Sequence, residues 1–397
     1  AALPGPSVIA DLADLDAISN KANEGMSDDE LRAIEERSLP DSPGLSYDIG
    51  LVRRATAASL RQDLPVLRET RVLALQKGSN EDLVMSVRLT AANGERAAGN
   101  ARAAFAEYAS LEQKLVEISR RTGKKIHTNA TARLVITNYL FSAMRAGDTA
   151  LGDRLISEYF LPALADPAVA DEDRLLIRIY ADDYRFGAQS LKGDPSGAYA
   201  ARMAALQTYR DQIDKLTKFT PAHSSTFASK EQEFNLMAGH DALKFGRPSL
   251  AVEQLRLLKQ DPQNHDANQR MRIDELEVAI LGFTQDYELA LQKQSEAWER
   301  LPALARRMDI VRAGFVVNRV NYLIALARWQ DAESALSEIK GKTEGLAFDD
   351  LYIGLRTVIR AALKKPDPQL AEFVAFQPRY LQRGRGIDDS INYFAAT

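Results

Sequence analysis

A predicted helical hairpin over residues 239–258 constrains this chain more than any other feature. Gly239 and Ala251 are small residues spaced so that two helices of a hairpin can approach closely. Gly246 lies between them and predicts the end of the first helix, because glycine adopts the left-handed backbone of helix ends without steric cost. The apolar residues expected to fill the helix–helix interface are Leu243, Leu255 and Leu258.

The same spacing occurs twice more downstream. Tyr287 and Ala290 take the aromatic and small positions of a second copy, and Trp329 and Ala332 take those of a third. The small anchor residues of the three copies are 39 and 42 residues apart. A fainter copy precedes them, with residues 138–148 as its first helix. Repetition of one hairpin predicts an array in which neighbouring pairs bury a continuous core.

This spacing resembles the tetratricopeptide repeat, whose unit is roughly 34 residues long. The resemblance covers about residues 231–340 and extends weakly back to about residue 130. It implies an all-α fold, a right-handed superhelical solenoid of antiparallel helix pairs. It also implies a surface that binds other proteins, formed by the first helix of each pair.

Residues that interrupt helices divide the chain into three predicted regions. The segment Pro40–Gly44 is rich in turn-forming residues and separates a peripheral N-terminal extension with short helices, residues 1–46, from the repeat array, residues 47–377. Within the array, residues 47–77 predict one long helix bent near Pro65. Residues 378–397 show little apolar periodicity and are expected to form a cap or tail.

Composition excludes several classes of site and partner. The 397 residues carry a formal net charge of −4, which disfavours binding to nucleic acid. There is no cysteine, which excludes disulfides and zinc–thiolate sites. Because the chain begins without methionine, we expect a periplasmic or extracytoplasmic protein, with the cytoplasm as the alternative. The alanine- and arginine-rich usage favours a bacterial source.

No catalytic or metal-binding motif stands out. The four histidines, at positions 127, 223, 240 and 265, lack the spacing of a helical zinc site, and no phosphate-binding loop is present. Asp171–Asp173, together with Asp182 and Asp183, could form paired carboxylates for hydrolysis or cation binding. We favour the simpler reading, acidic residues at a helix start followed by a solvated face. The sequence therefore predicts a protein that is not an enzyme and has no cofactor.

Candidate binding residues lie at positions expected on the first helices of the pairs. Side-chain amides there can bind an extended peptide backbone without requiring one sequence. The alternative is that these groups satisfy neighbouring helix ends or face water. A clamp for a terminal carboxylate is not favoured, because Leu236, Glu275 and Val317 occupy the positions of its first lysine. The candidates on this face are Asn138, Phe141, His240, Lys244, Asn318 and Asn321.

A basic cluster surrounds the helix before the last repeat and comprises Arg306, Arg307, Arg312, Arg319 and Arg328. Arg312 and Arg319 are seven residues apart and share a helix face, so together they could receive a carboxylate or phosphate. The favoured alternative pairs these arginines with acidic neighbours such as Asp309 and Asp331. For Trp298 and Trp329 we expect packing between repeats.

Three functional hypotheses follow. The first is a non-enzymatic adaptor, scaffold or assembly factor that binds a protein segment in its concave groove. The second is the sensor region of a membrane signalling receptor that binds a small ligand or an envelope protein, with the membrane tether outside this chain. A homodimer fits either hypothesis, and an enzyme with catalytic carboxylates on loops is a third.

Overall fold

The structure, a computed structural model, describes residues 6–21, 26–98, 100–216, 220–260, 267–301, 306, 309–340 and 349–366. These residues form helices and turns, and no strand occurs among them. The chain groups into two compact units, Ala1–Tyr139 and Leu140–Thr397, which we describe separately. The predicted all-α fold class is confirmed. The predicted tail at residues 378–397 lies outside the described residues.

Unit 1 contains six helices and the start of a seventh within its described residues. They are α1 (Pro6–Lys21), α2 (Asp28–Glu36), α3 (Leu45–Arg61), α4 (Leu64–Lys77), α5 (Glu81–Ala97), α6 (Ala101–Thr122) and α7 (Ala130–Arg145). A short 3-10 turn at Ile126–Thr128 precedes α7.

The single bent helix predicted over residues 47–77 is wrong, because the structure has two helices there. Gln62 adopts a left-handed backbone with φ 57° and ends α3. Asp63 then caps α4 by accepting a hydrogen bond from the Val66 N–H at 3.2 Å. Pro65 lies in the first turn of α4, where its missing N–H costs no helical hydrogen bond. The proline therefore helps to start a helix instead of bending one.

Helices α1 and α2 of the N-terminal extension pack within unit 1, so they are not the peripheral segment expected. Ile18 of α1 and Leu31 and Ile34 of α2 form a buried apolar cluster with Ala57 of α3. The guanidinium of the fully buried Arg53 lies 2.7 Å from the Asp11 carboxylate. It also donates hydrogen bonds to the backbone carbonyls of residues 34 and 37. These contacts hold α1 and α2 on α3.

Unit 2 continues from α7 with eleven further α-helical segments in its described residues, which we label from α8 to α18 in chain order. They are α8 (Thr149–Leu155), α9 (Leu161–Ala165), α10 (Asp171–Leu191), α11 (Pro195–Ile213), α12 (Pro221–Lys244), α13 (Pro248–Leu258), α14 (Ala267–Phe283), α15 (Tyr287–Arg300), α16 (Asp309–Ala325), α17 (Trp329–Ser337) and α18 (Asp349–Ala362). A π-helical turn at Ile156–Phe160 joins α8 to α9.

One turn geometry recurs throughout the described part of unit 2. Helices α7, α10, α12, α14, α16 and α18 are each followed by a residue with positive φ, namely Gly147, Gly193, Gly246, Gln285, Ala327 and Lys364. In each case the N–H of the next residue bonds to the carbonyl five residues earlier, at 2.8–3.2 Å. This is the Schellman arrangement, which satisfies carbonyls at a helix end. The prediction that Gly246 ends a helix is confirmed.

Small, buried residues follow these turns at a fixed distance. Five residues after the left-handed position the structure places Gly152, Ala198, Ala251, Ala290 and Ala332, all of them buried. The three predicted anchors are thus confirmed as buried, each with 0% exposure. Gly152 and Ala198 occupy equivalent positions that the sequence comparison missed. Longer spacings of 46 and 53 residues separate these earlier positions.

Glycines also bring the first helices of successive hairpins together. A Cβ atom on Gly239 would lie 2.7 Å from a Leu276 methyl carbon of α14, so Gly239 allows a close approach to the next hairpin, whereas the sequence predicted one within its own hairpin. Gly282 of α14 lies against the ring of Tyr322 of α16 in the same way. The Tyr322 hydroxyl donates to the Val278 carbonyl at 3.3 Å. Each hairpin in this part of unit 2 therefore packs on its neighbour.

Candidate functional site

A groove of about 790 Å³ lies between α15 and α17, with α16 contributing to its lining. Positions three or four residues apart on α15 and α17 share one face of their helix, and these faces form the two walls. The apolar lining residues are Leu289, Leu291, Leu323 and Ala335. The uncharged polar ones are Gln292, Ser295 and Ser334. We call this surface the α15–α17 groove.

The recurring turn places two of the charged lining residues. Asp286 and Arg328 each follow the left-handed residue of a turn, so both lie where α15 and α17 begin. Arg328 extends across this end, with its guanidinium 2.8 Å from Asp331 and 3.5 Å from Glu288. The contact shows that the starts of α15 and α17 adjoin. The same local turn therefore fixes the charge at this end of the groove.

Acidic side chains outnumber basic ones in the groove. Among the described lining residues, carboxylates are supplied by Asp286, Glu288, Asp331 and Glu338, and guanidiniums by Arg319 and Arg328, so the lining carries a formal charge of −2. Arg319 donates a hydrogen bond to Glu338. The carboxylates remain accessible, since the Glu288 side chain is 68% exposed and that of Asp331 is 56% exposed.

Of the predicted binding residues, Arg319 lines the groove. Its acidic contact with Glu338 and that of Arg328 with Asp331 agree with the favoured alternative for the basic cluster. Arg307 and the side chain of Asp309 lie outside the described residues. Arg319 is therefore a groove residue whose charge is already balanced within the protein.

Arg312 contacts a different set of groups. Its guanidinium lies 6.0 Å from the centre of the Trp298 ring, and it donates to the Arg306 carbonyl at 3.3 Å. Trp298 packs edge-on against Phe315 of α16, with ring centres 5.1 Å apart, as expected for packing between helices. The two arginines predicted to share an anion thus have separate partners.

Asn318 and Asn321 lie on α16 beside Arg319 but are not part of the groove lining. Both side chains are partly buried, and the Asn321 side-chain nitrogen is buried without a hydrogen-bond partner among the described residues. Asn138 lies in unit 1 and donates a hydrogen bond to the Leu134 carbonyl one turn earlier in α7, at 2.9 Å. The predicted role of these amides in peptide binding stays a prediction.

Phe141 and Lys244 belong to a second, internal arrangement in unit 2. Phe141 packs edge-on against Tyr180, and the Lys230 ammonium lies 4.7 Å from the Phe141 ring centre and 4.9 Å from that of Tyr180. Lys244 donates to the Ser190 hydroxyl at 3.1 Å. His240, one turn before Lys244 on α12, is partly buried. Through Lys230 and Ser190, Phe141 and Lys244 therefore border a set of buried charges.

The centre of that set is Arg202 of α11, which is fully buried. Its guanidinium lies 3.2 Å from Asp183 of α10 and 3.4 Å from Asp241 of α12. Phe186 and Phe234 flank the guanidinium at 5.5 Å each. Because these contacts join three helices, we call this group the Arg202 cluster. Asp183, expected on a solvated face, is instead buried in it, and that expectation is wrong.

Lys230 extends the Arg202 cluster toward the surface. Its ammonium lies 3.2 Å from Asp183 and 2.6 Å from Glu233. Burial opposes its charge, but the nearby Asp183 and Glu233 carboxylates outweigh that effect and raise the pKa of Lys230. In the described ranges, no three histidine, aspartate or glutamate side chains converge as metal ligands would. The geometry of this cluster suits interhelical bonding.

Comparison with known proteins adds no family. No protein-family model matches the chain, and no curated protein is significantly similar to it. Of the helices described here, from α1 to α18, none has the length and hydropathy needed to cross a bilayer.

Proposed function

We propose that the protein is a non-enzymatic interaction module, an adaptor or scaffold that binds a segment of another protein in the α15–α17 groove. The observation that carries the proposal is the groove itself, an open cleft built on successive helical hairpins. Continuation of the hairpins as a right-handed superhelical solenoid, similar to tetratricopeptide arrays, is part of this proposal.

The lining of the groove suits a peptide chain. Leu289, which is partly exposed, supplies apolar surface, while Gln292, Ser295 and Ser334 supply hydrogen-bonding groups at intervals along the walls. Protein interfaces combine an apolar centre with a polar rim in this manner. Helix walls presenting residues at every third or fourth position give repeated contacts to an extended or helical segment.

The test is co-purification from the source organism with a groove-filling variant. Ser295 lines the groove and is exposed, so Ser295→Trp should fill the groove without disturbing the core. The matched control is Gln207→Trp, at an exposed position of α11 outside the groove. We expect a specific protein to be retained by the natural chain and by the control but lost with Ser295→Trp.

A further variant tests whether the partner binds in the groove or on the face of α16 that the sequence predicted. Asn318→Ala combined with Asn321→Ala removes the amides of α16 and leaves the groove lining intact. Loss of the partner in this variant, with retention in Ser295→Trp, would overturn the proposed location. Retention of one set of proteins by all variants would overturn the proposed function.

A further inference from the structure

We infer that the α15–α17 groove selects a basic protein segment, one that carries lysine or arginine side chains. The inference rests on the proposed function and adds the chemical class of the partner. It is argued from the charge of the groove and from the state of its two arginines.

The arginines of the groove offer little to an acidic partner. Arg319 is paired with Glu338, and Arg328 lies 2.8 Å from Asp331. An incoming carboxylate would have to displace these internal contacts and approach the remaining carboxylates. Like charges brought together in this way oppose binding and exclude the wrong partner.

The negative charge of the groove carboxylates, by contrast, exceeds the positive charge of the two arginines. Asp286 makes no hydrogen bond to cap α15. Glu288 is largely exposed and lies 3.5 Å from the Arg328 guanidinium, a weaker contact than that of Asp331. Both lie at the end of the groove where α15 and α17 begin, so an incoming lysine or arginine would find two carboxylates there with unfilled capacity to accept hydrogen bonds.

Helix dipoles reduce this excess without reversing it. Three carboxylates and one guanidinium lie at the starts of α15 and α17, a local formal charge of −2. Each helix start contributes roughly half a positive charge, which leaves about −1 at this end. The partly exposed Leu289 beside it supplies apolar surface that suits the alkyl stem of a lysine or arginine.

The experiment measures fluorescence anisotropy with two synthetic peptides and the full chain. One labelled peptide contains repeats of leucine, lysine and serine, and the other has glutamate in place of every lysine. The groove variant is Asp286→Asn with Glu288→Gln. The control, Asp214→Asn with Glu253→Gln, removes the same charge from exposed positions of unit 2 outside the groove.

We expect the natural chain to bind the lysine peptide, and the groove variant to raise its Kd by about tenfold, as two exposed ion pairs of about 0.7 kcal/mol each would give. The control should change Kd by less than about twofold, because its two carboxylates do not line the groove. Equal weakening by both variants, or equal binding of the glutamate peptide, would overturn the inference.

The test of the basic-segment inference can fail while the test of the proposed function succeeds. If Ser295→Trp abolishes retention of the natural partner, but neutralising Asp286 and Glu288 leaves that retention unchanged, the groove binds a protein segment that is not recognised by positive charge. The basic-segment inference would then fail while the proposed function stands. Circular dichroism of each variant confirms that it is folded before either comparison is made.

Discussion

Arg202 and Asp241 face each other at 3.4 Å with both side chains fully excluded from solvent. They join α11 to α12, and Asp183 of α10 lies on the other side of the same guanidinium at 3.2 Å. Removing one member of a buried ion pair leaves the remaining charge unpaired in a low-dielectric interior, which costs more than the pair itself contributes. The Arg202 cluster is therefore a point where three helices depend on one side chain.

Arg202→Met should lower the free energy of unfolding by about 3–5 kcal/mol, because Asp183 and Asp241 would stay buried with one opposite charge fewer, even though Lys230 and Lys244 still lie 3.2 and 3.7 Å from them. Arg210→Met is the matched control on the same helix, since Arg210 pairs with Glu231 while 48% exposed. It should cost about 0–1 kcal/mol. Urea unfolding followed by circular dichroism measures both, and a cost for Arg202→Met no larger than that of the control would contradict this role.

The recurring turn predicts that substitutions at two equivalent positions change the stability of the fold in opposite directions. Gly246 has φ 77° and a Cβ atom there would meet nothing within 4 Å, so Gly246→Ala adds backbone strain alone. We expect a loss of about 1 kcal/mol. Ala327 already has φ 54°, so Ala327→Gly should relieve strain and gain about 0.5–1 kcal/mol. Thermal unfolding shows whether each variant is more or less stable than the natural chain. A change in the same direction for both would show that the two turns are not equivalent.

Contact between successive first helices can be tested at Gly239. The Cβ atom of Gly239→Ala would lie 2.7 Å from a Leu276 methyl carbon, and overpacking of this kind costs about 1–3 kcal/mol. Leu276→Val shortens the opposing side chain and should recover part of that loss in the double variant. A double-mutant cycle measures the coupling. Additive effects of the two substitutions would rule out the contact.

Acid sensitivity is expected in unit 1 from Glu107. Burial by itself raises the pKa of Glu107, but hydrogen bonds from Arg71 and Arg88 outweigh burial and hold the pKa below its ordinary value of 4.5. A carboxyl whose folded pKa is depressed stabilises the fold above its unfolded pKa, and this stability is lost as the pH falls through the folded pKa.

The matched variant for this prediction is Glu107→Gln. It should be less stable than the natural chain at about pH 7, and the difference should shrink as the pH is lowered through the depressed folded pKa of Glu107 toward about pH 3. Urea unfolding at the two pH values measures the difference. A difference that stays constant between them would show that Glu107 is not stabilised as its ionised form.

The sequence predicted the local features of the hairpins well. Gly246 and the alanine anchors could be recognised because a left-handed turn and a close helix approach each restrict the residue type at one position. The equivalent turns at Gln285 and Ala327 were harder to recognise, since neither residue is a glycine and both carry strain that the surrounding packing must offset. The copies after these two turns were found from their alanine anchors, whereas Gly152 and Ala198 were missed although Gly147 and Gly193 precede them, because their spacings of 46 and 53 residues depart from the repeat.

Contacts between distant residues were not predictable in the same way. Arg202 meets Asp183 and Asp241 across three helices, and no residue pattern within any one helix distinguishes these charges from solvated ones. The groove was missed for a related reason. Its walls come from second helices of two hairpins, whereas the resemblance directed attention to the first helices and to Asn318 and Asn321. Arg319 was found because it could be identified as part of a basic cluster.

The most direct test of the account is site-specific photo-crosslinking from inside the groove. A photoreactive amino acid in place of Ser334, an exposed lining residue, should form an adduct with one partner protein in the source organism, and the crosslinked segment should carry lysine or arginine. The same amino acid in place of Glu253, exposed on α13 outside the groove, should form no such adduct. Adducts of equal yield from both positions, or none from Ser334, would contradict the claim that the α15–α17 groove binds a protein segment.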